Sequence, residues 1–348
     1  MNKILQLFDE DFVMDYFRRE VLPLYPDFSQ VISVKIKPYK KMVWKTTYHV
    51  VVGFNVEVFS DKKNKNENIF LVCSAHSEEP RENVFKVLTF LWRKGLAADW
   101  IDIPFPLFYS QEFKGVFYSG LRGENILKQV REGGPTALEK MILAGKLFAN
   151  LHSLTVNDSL EFNLQNAKIE TVVPGVEAIF KGMTNRYGDV YDKEIRYFYN
   201  YFIKEEEKYL QQEKNLCLIH GDAHLENIID TGPGRLGVID FADFCIGDFA
   251  RDLGTFLQQL EHRLLKKEDG SRDLEQEKLL KEAFLHSYII ERGLVLDDNL
   301  KARIKLYYDW TMLRTATYFF LKSESEVERA VNLFKKVDRS LKSEEFII

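Results

Sequence analysis

The segment from Val31 to Lys37 alternates apolar and polar residues, the period-two pattern of a half-buried strand. Thr46 to Phe59 is dense in Val, Phe and Tyr. A polar turn over Asp61 to Asn68 separates it from the continuous apolar run Ile69-Phe70-Leu71-Val72-Cys73. Together these predict an antiparallel meander. Arg81 to Lys94 changes period: Val84, Val87, Leu88 and Leu91 fall on one helical face, and Gly95 supplies a stop. Pro104 to Tyr118 reads as extended. From Pro135 the pattern is mainly helical, with helices predicted over Ala137–Leu151 and Asp192–Gln212 and through most of Leu253–Lys342. Leu216 to Phe241 interrupts it with short apolar pieces and a hairpin signal at Gly232-Pro233-Gly234. Lys266 to Lys278, charged and containing Gly270, reads as a solvated loop and helix start.

This order predicts a bilobal α+β chain: a small β-rich lobe over 1–117, a hinge at 118–123 with Gly120 and Gly123, and a larger, mainly helical lobe over 124–348. The 348 residues, 45% of them hydrophobic, are ample for a sizeable core. With 48 basic against 53 acidic residues the net charge is −5, which argues against a nucleic-acid partner. Cys73, Cys217 and Cys245 form no CxxC pair, so a reduced, cytoplasmic setting is expected. The N-terminal apolar run is too short and too soon acidic for a signal peptide. No segment reaches the ~20 apolar residues of a membrane span.

The candidate chemistry lies in Ile219-His220-Gly221-Asp222-Ala223-His224-Leu225-Glu226-Asn227, followed by Val238-Ile239-Asp240-Phe241. Phosphoryl transfer asks a protein for an aligned nucleophile and for positive charge around the phosphates. Asp222 suits the base that receives a proton from a substrate hydroxyl. Asn227 and Asp240 are oxygen donors of the kind magnesium accepts while keeping several waters. His220 reads as a loop support, His224 and His152 as structural, and Asp252, near a helix start, as an acceptor that anchors the loop. Asp243 and Asp248 either line the site or cap turns.

His220-Gly221-Asp222-Ala223-His224-Leu225-Glu226-Asn227 resembles the catalytic loop of the aminoglycoside phosphotransferase and choline kinase superfamily. Ile239-Asp240-Phe241-Ala242-Asp243 is similar to its magnesium-binding segment. Gly247-Asp248-Phe249-Ala250-Arg251-Asp252-Leu253 resembles the element that follows, and Leu147-Phe148-Ala149-Asn150-Leu151-His152 the helix before the loop. The resemblance implies a protein-kinase-like fold and Mg2+-dependent transfer from ATP (or GTP) to a small-molecule hydroxyl: a sugar, an amino alcohol or an aminoglycoside-like compound. It runs from about Ala144 to Leu257. In the C-terminal helices, Tyr308, Asp309 and Trp310, with Asp243, are candidates for the substrate pocket.

The N-terminal region departs from the family pattern. Lys37 to Tyr48, where the resemblance puts a phosphate-binding hairpin, contains no glycine. The strand position that should carry a lysine falls at Cys73 or Ser74. Its helix partner corresponds to Glu82, or to Glu79 in a shifted register. Lys40, Lys41 and Lys45 are then the candidate phosphate contacts. The missing lysine and glycines motivate a second reading, a pseudokinase-type binding module. A third, a two-metal phosphoesterase, draws on Gly221-Asp222-Ala223-His224 and lacks the further ligands it needs downstream.

Overall fold

The three extended segments become long antiparallel strands. In the computed structural model, which describes residues 2–155, 164–212, 216–264, 273–322 and 324–343, they are β1 (Phe28–Val43), β2 (Tyr48–Ser60) and β3 (Lys65–His76). After α2 (Glu82–Arg93) and the short β4 (Ile101–Asp102), strands β5 (Pro106–Ser110) and β6 (Gly115–Ser119) complete a sheet of order β1-β2-β3-β6-β5. Val50, Val52, Phe54, Val56 and Val58 are buried along one face of β2. What covers them is α1 (Glu10–Glu20), to which the sequence reading assigned no element. Asp9 starts that helix by accepting the Phe12 N–H at 2.9 Å. Phe17 on α1 meets Phe54 edge-to-face, with ring centroids 5.0 Å apart.

The chain divides into two units, Met1–Glu124 with Ile229–Ala242, and Asn125–Ile228 with Asp243–Ile348. The contiguous division expected from sequence is therefore broken by one hairpin, β9 (Ile228–Gly232) and β10 (Arg235–Val238). β10 pairs in parallel with β4, Leu236 opposite Ile101 and Gly237 opposite Asp102. Arg235 Nη2 meets Asp102 Oδ1 at 2.6 Å across a separation of 133 residues. A parallel pairing of segments so far apart leaves no local periodicity to detect.

The second unit contains α3 (Leu127–Glu132), α4 (Gly134–His152), α5 (Val176–Tyr187), α6 (Asp192–Gln212) and the small antiparallel pair β8 (Cys217–Ile219) and β11 (Cys245–Gly247). Then come α7 (Ala250–Leu264), α8 (Leu274–Arg292), α9 (Asp298–Lys322) and α10 (Val327–Leu341). α4 packs on α8, and α7 and α10 pack on α9, which is buried on most of its circumference. α7 and α9 approach closely at Gly254, where a Cβ would stand 2.5 Å from the Ile304 carbonyl oxygen. The first part of the charged stretch at Lys266 lies outside the described residues. Among the described residues no helix is long and apolar enough to cross a membrane.

The covering role of α1 predicts that Phe17→Ala costs about 3–5 kcal/mol in urea unfolding. A loss below about 1 kcal/mol would mean that the β2 face does not depend on this helix.

Candidate active site

β8 and β11 pair through Ile219 and Cys245, and the chain leaves β8 directly into the His220–Asn227 segment. Gly221 adopts φ +81°, and a Cβ there would lie 2.3 Å from the Asp243 carbonyl oxygen, so both conformation and space require glycine. Two consecutive residues of the first turn of α7 grip this bend. Asp252 accepts the N–H of His220 at 2.6 Å and of Gly221 at 2.9 Å. Arg251 donates to the Gly221 carbonyl at 3.4 Å and to the Asn166 carbonyl, with its guanidinium 5.1 Å over the Trp310 ring. A third group reaches Asp252: His152 Nε2, at 3.0 Å. Burial drives the His152 imidazole down, although Asp252 pulls it up. The neutral ring then donates from Nε2 to Asp252 and accepts at Nδ1 from the Tyr288 hydroxyl, 2.9 Å away. Desolvation would raise the Asp252 carboxyl, but His152 and the loop at His220 outweigh it and hold it below the ordinary carboxylate range.

The gripped loop presents Asp222. Its N–H donates to His220 Nδ1 at 3.3 Å. Burial would raise its carboxyl too; the hydrogen bond and charge of His224, then Arg314 and His220, reverse the sign and keep it well below the usual range. For His224, burial pushes down while Asp222 and Glu226 push up, and the net shift is upward. His224 Nε2 faces both Asp222 Oδ2, at 3.4 Å, and Asn227 Nδ2, at 3.1 Å. As imidazolium it donates to Asp222; as the Nδ1–H tautomer it accepts from Asn227. Asn227 Nδ2 also donates to the Asp222 carbonyl at 3.0 Å. Asp222 and His224 stand at the wall of a cavity of about 510 Å³ that runs along α9 past Thr311, Arg314 and Thr315.

The first unit resolves the strand alternatives. Cys73 is fully buried in the cluster under α1, so Ser74, its neighbour, belongs to the other face of β3. Lys41 also points to the α1 face, its ammonium 4.2 Å over the Phe8 ring. Lys45 is exposed in the β1–β2 turn, and Glu82 pairs with Lys86 at 3.1 Å. The face that carries Ser74 also carries His49 and His76, ring centroids 4.7 Å apart. Burial, then Lys40, Arg81 and His76, push the His49 imidazole down to about 3. Arg81 is 8% exposed, pairs with Glu79 at 3.3 Å, and has no hydrogen-bond partner at Nε. Asp240 is exposed at the end of the β10 hairpin, with φ +62°.

The sequence model of the phosphotransferase enzyme family matches residues 61–283. The chain belongs to this family. No curated protein matches the sequence. Among solved structures, a choline kinase from Cryptosporidium parvum Iowa II is 12% identical at TM-score 0.59, with 95% of each chain covered. The streptomycin–ATP ternary complex of APH(2")-IIa is 12% identical at TM-score 0.56, covering 93% of this chain and 95% of that one. A Plasmodium vivax ethanolamine kinase is 15% identical at TM-score 0.52, covering 87% and 81%. The fold is that of the protein-kinase-like phosphotransferases.

Family membership makes magnesium a ligand to test against these residues. Asn227 commits its amide nitrogen twice within the loop, which leaves Oδ1 as its donor to a cation, and Asp240 offers an exposed carboxylate. Both are hard oxygen donors, as magnesium requires. Among the described residues no group of three or more His, Cys, Asp or Glu is placed to hold a metal ion.

The α9 candidates need correction. Trp310 is 1% exposed and packed by Arg251. Tyr308 donates to Glu261. Asp309 pairs with Lys305 at 2.7 Å and lines a different cavity with Tyr201 and Ser340. None of the three lines the cavity beside Asp222. The α9 residues that do are Thr311, Arg314, Thr315, Tyr318, Phe319 and Lys322, which recur at helical spacing and are polar except for Phe319. That polar stripe is visible in the sequence. Asp243 accepts from Asn166 at 2.9 Å and stands 3.9 Å from Arg314. His152 and Arg251 carried no signal beyond their neighbours in the motif.

Because the folded-state pKa of Asp252 is depressed, its contribution to stability is complete above about pH 4 and is lost as pH falls toward the folded value. Asp252→Asn should cost about 3 kcal/mol at neutral pH. It should also lose less than the parent protein between about pH 4 and 2 in urea melts. Parallel acid slopes for the two proteins would contradict the assignment.

Proposed function

We propose that this protein transfers the γ-phosphoryl group of ATP (or GTP), with Mg2+, to a hydroxyl of a small molecule. The observation that carries the reading is the ionised Asp222 carboxylate, held at a cavity wall by a loop that Asp252 and Arg251 grip from opposite backbone poles. Related proteins support the co-substrate: APH(2")-IIa forms a ternary complex with streptomycin and ATP, and the spectinomycin phosphotransferase APH(9)-Ia a complex with ADP and spectinomycin. In this reading the acceptor hydroxyl occupies the cavity and hydrogen-bonds to Asp222. Its oxygen bonds to the γ-phosphorus as the bridging P–O bond to the β-phosphate breaks, and its proton passes to Asp222. A carboxylate of such low basicity orients the hydroxyl more than it abstracts the proton, which suits a loose transition state. Asn227 and Asp240 are the residues that would hold magnesium, which would supply neutralising charge for the phosphate oxygens. We assign the protein's own phosphate-facing charge to Arg81 and Lys40, with Lys45 from the turn, ahead of Lys41, because they accompany Ser74 or lie in the hairpin. Glu82 then serves α2 through Lys86.

Asp222→Asn should lower kcat by about 10²–10⁴ while keeping the nucleotide-induced rise in melting temperature. Undiminished transfer would remove Asp222 from the role of base. Separately, Arg81→Ala should raise the nucleotide KM about tenfold. An equal effect of Lys41→Ala would mean that the charge comes from the α1 face instead.

A further inference from the structure

The cavity beside Asp222 is lined by Arg263, Arg314, Lys322 and Arg329, and among the described residues that line it Asp222 is the one carboxylate. The carboxylates that meet these cations are not part of the lining. Glu226 pairs with Arg263 at 2.6 Å and Glu326 with Arg329 at 2.7 Å, whereas Asp243 is 3.9 Å from Arg314. Lys322 lies over the Tyr318 ring, 5.5 Å from its centroid. A ligand entering the cavity therefore meets guanidinium and ammonium groups in the wall that also carries the candidate base. Two buried polar atoms in the same wall, Arg263 Nε and His262 Nδ1, have no hydrogen-bond partner among the described residues. His262 also records the sign of the field: burial, then Arg263, Arg329 and Lys336, push its imidazole down to about 4.

A cationic acceptor, whether a quaternary ammonium or a polyamine, would meet four cationic side chains here against one lining carboxylate, Asp222, and the Tyr318 ring already carries the Lys322 ammonium. A carboxylate or phosphate would instead find forked donors of the geometry that recognises it. We infer that the acceptor is an anionic hydroxyl compound, a polyol or hydroxy acid bearing a phosphate or carboxylate, with its anionic end on Arg314, Lys322 and Arg329 and a free hydroxyl toward Asp222. The anionic group is held and not altered. The product gains one phosphoryl group on the hydroxyl oxygen, ADP leaves, and the hydroxyl proton passes to Asp222. What happens to the bound compound rests on the phosphotransfer reading; the charge preference of the cavity does not.

The test uses the full chain and two matched series: glucose, glucosamine, gluconate and glucose 6-phosphate; glycerol, serinol, glycerate and glycerol 3-phosphate. Binding is read by thermal shift without nucleotide, and transfer by phosphate incorporation from labelled ATP. The anionic members of at least one series should bind about tenfold or more tightly than the neutral member, with the ammonium member weakest. The gluconate and 6-phosphate arms tell carboxylate from phosphate. Lys322→Gln with Arg329→Gln should erase the preference in protein that keeps the parent circular dichroism spectrum. Tighter binding of neutral or ammonium members, a preference that survives the double variant, or no binding by any anionic member would overturn the inference. Transfer to a neutral or cationic acceptor with no anionic preference would leave the phosphotransfer reading standing and remove this one. Anionic preference with no transfer to any acceptor would do the reverse.

Discussion

The Asp252 carboxylate is the point on which the candidate active site depends. It is 1% exposed, and an ion so buried is tolerated only when its lone pairs are used. Here three donors use them: two successive loop amides and the His152 imidazole. The donors and the acceptor come from three different elements, which Phe148 of α4 also joins through its ring contacts with His220 and Phe256. The loop leaves β8, His152 ends α4, and Asp252 opens α7. One charge thus fixes the loop's conformation, the ring orientation of His152 and, through Tyr288, the approach of α8. Arg251, one residue earlier, takes the Gly221 carbonyl, so both poles of one peptide bend are held by neighbours on a single helical turn.

The same helix sets the cavity. α7 meets α9 closely enough that Gly254 leaves no room for a Cβ, and this brings Thr255 on α7 to Thr311 on α9, their hydroxyl oxygens 3.0 Å apart. The α9 face that lines the cavity is therefore registered to the helix that holds the loop. In the proposed reading, acceptor wall and base would share one mechanical reference, which is what near-attack geometry demands of a phosphotransferase.

The sequence conveyed the strands and long helices well because each had several turns of unambiguous period. The helix over Asp192–Gln212 and the strands β2 and β3 are examples, whereas the short strands flanking Gly232-Pro233-Gly234 were signalled by their turn. It did not convey α1, whose importance comes from covering β2, a tertiary fact. Nor did it convey the parallel β4–β10 pair, which is too short and too distant in sequence to leave a pattern. Within the site, Asp222, Asn227, Asp240 and Asp252 could be named because a dense motif contains them. Tyr308, Asp309 and Trp310 looked like a ligand cluster because aromatic and acidic side chains are adjacent in sequence. Adjacent residues on a helix point about 100° apart, however, and here all three are buried on a helix that is covered on most sides. The stripe from Thr311 to Lys322 follows helical spacing, but it has no acidic residue, and its aromatic residues stand apart from any such neighbour in the sequence.

One electrostatic condition joins the remaining observations. Arg314 and His224 keep Asp222 ionised, while Arg263 and Arg329 help keep His262 neutral. An excess of positive lining thus has two consequences at once: the Asp222 carboxyl stays deprotonated, and the field inside the cavity stays cationic. These consequences cannot be separated by substitution at Arg314 alone, since removing that charge weakens both. They separate at Lys322 and Arg329, neither of which is among the groups that hold the Asp222 carboxyl down. Arg329 also pairs with Glu326 and lies over the Phe319 ring, and Lys322 lies over Tyr318, but neither contact takes the two cations out of the cavity wall. Their place on its wall is explained by a ligand that carries negative charge of its own.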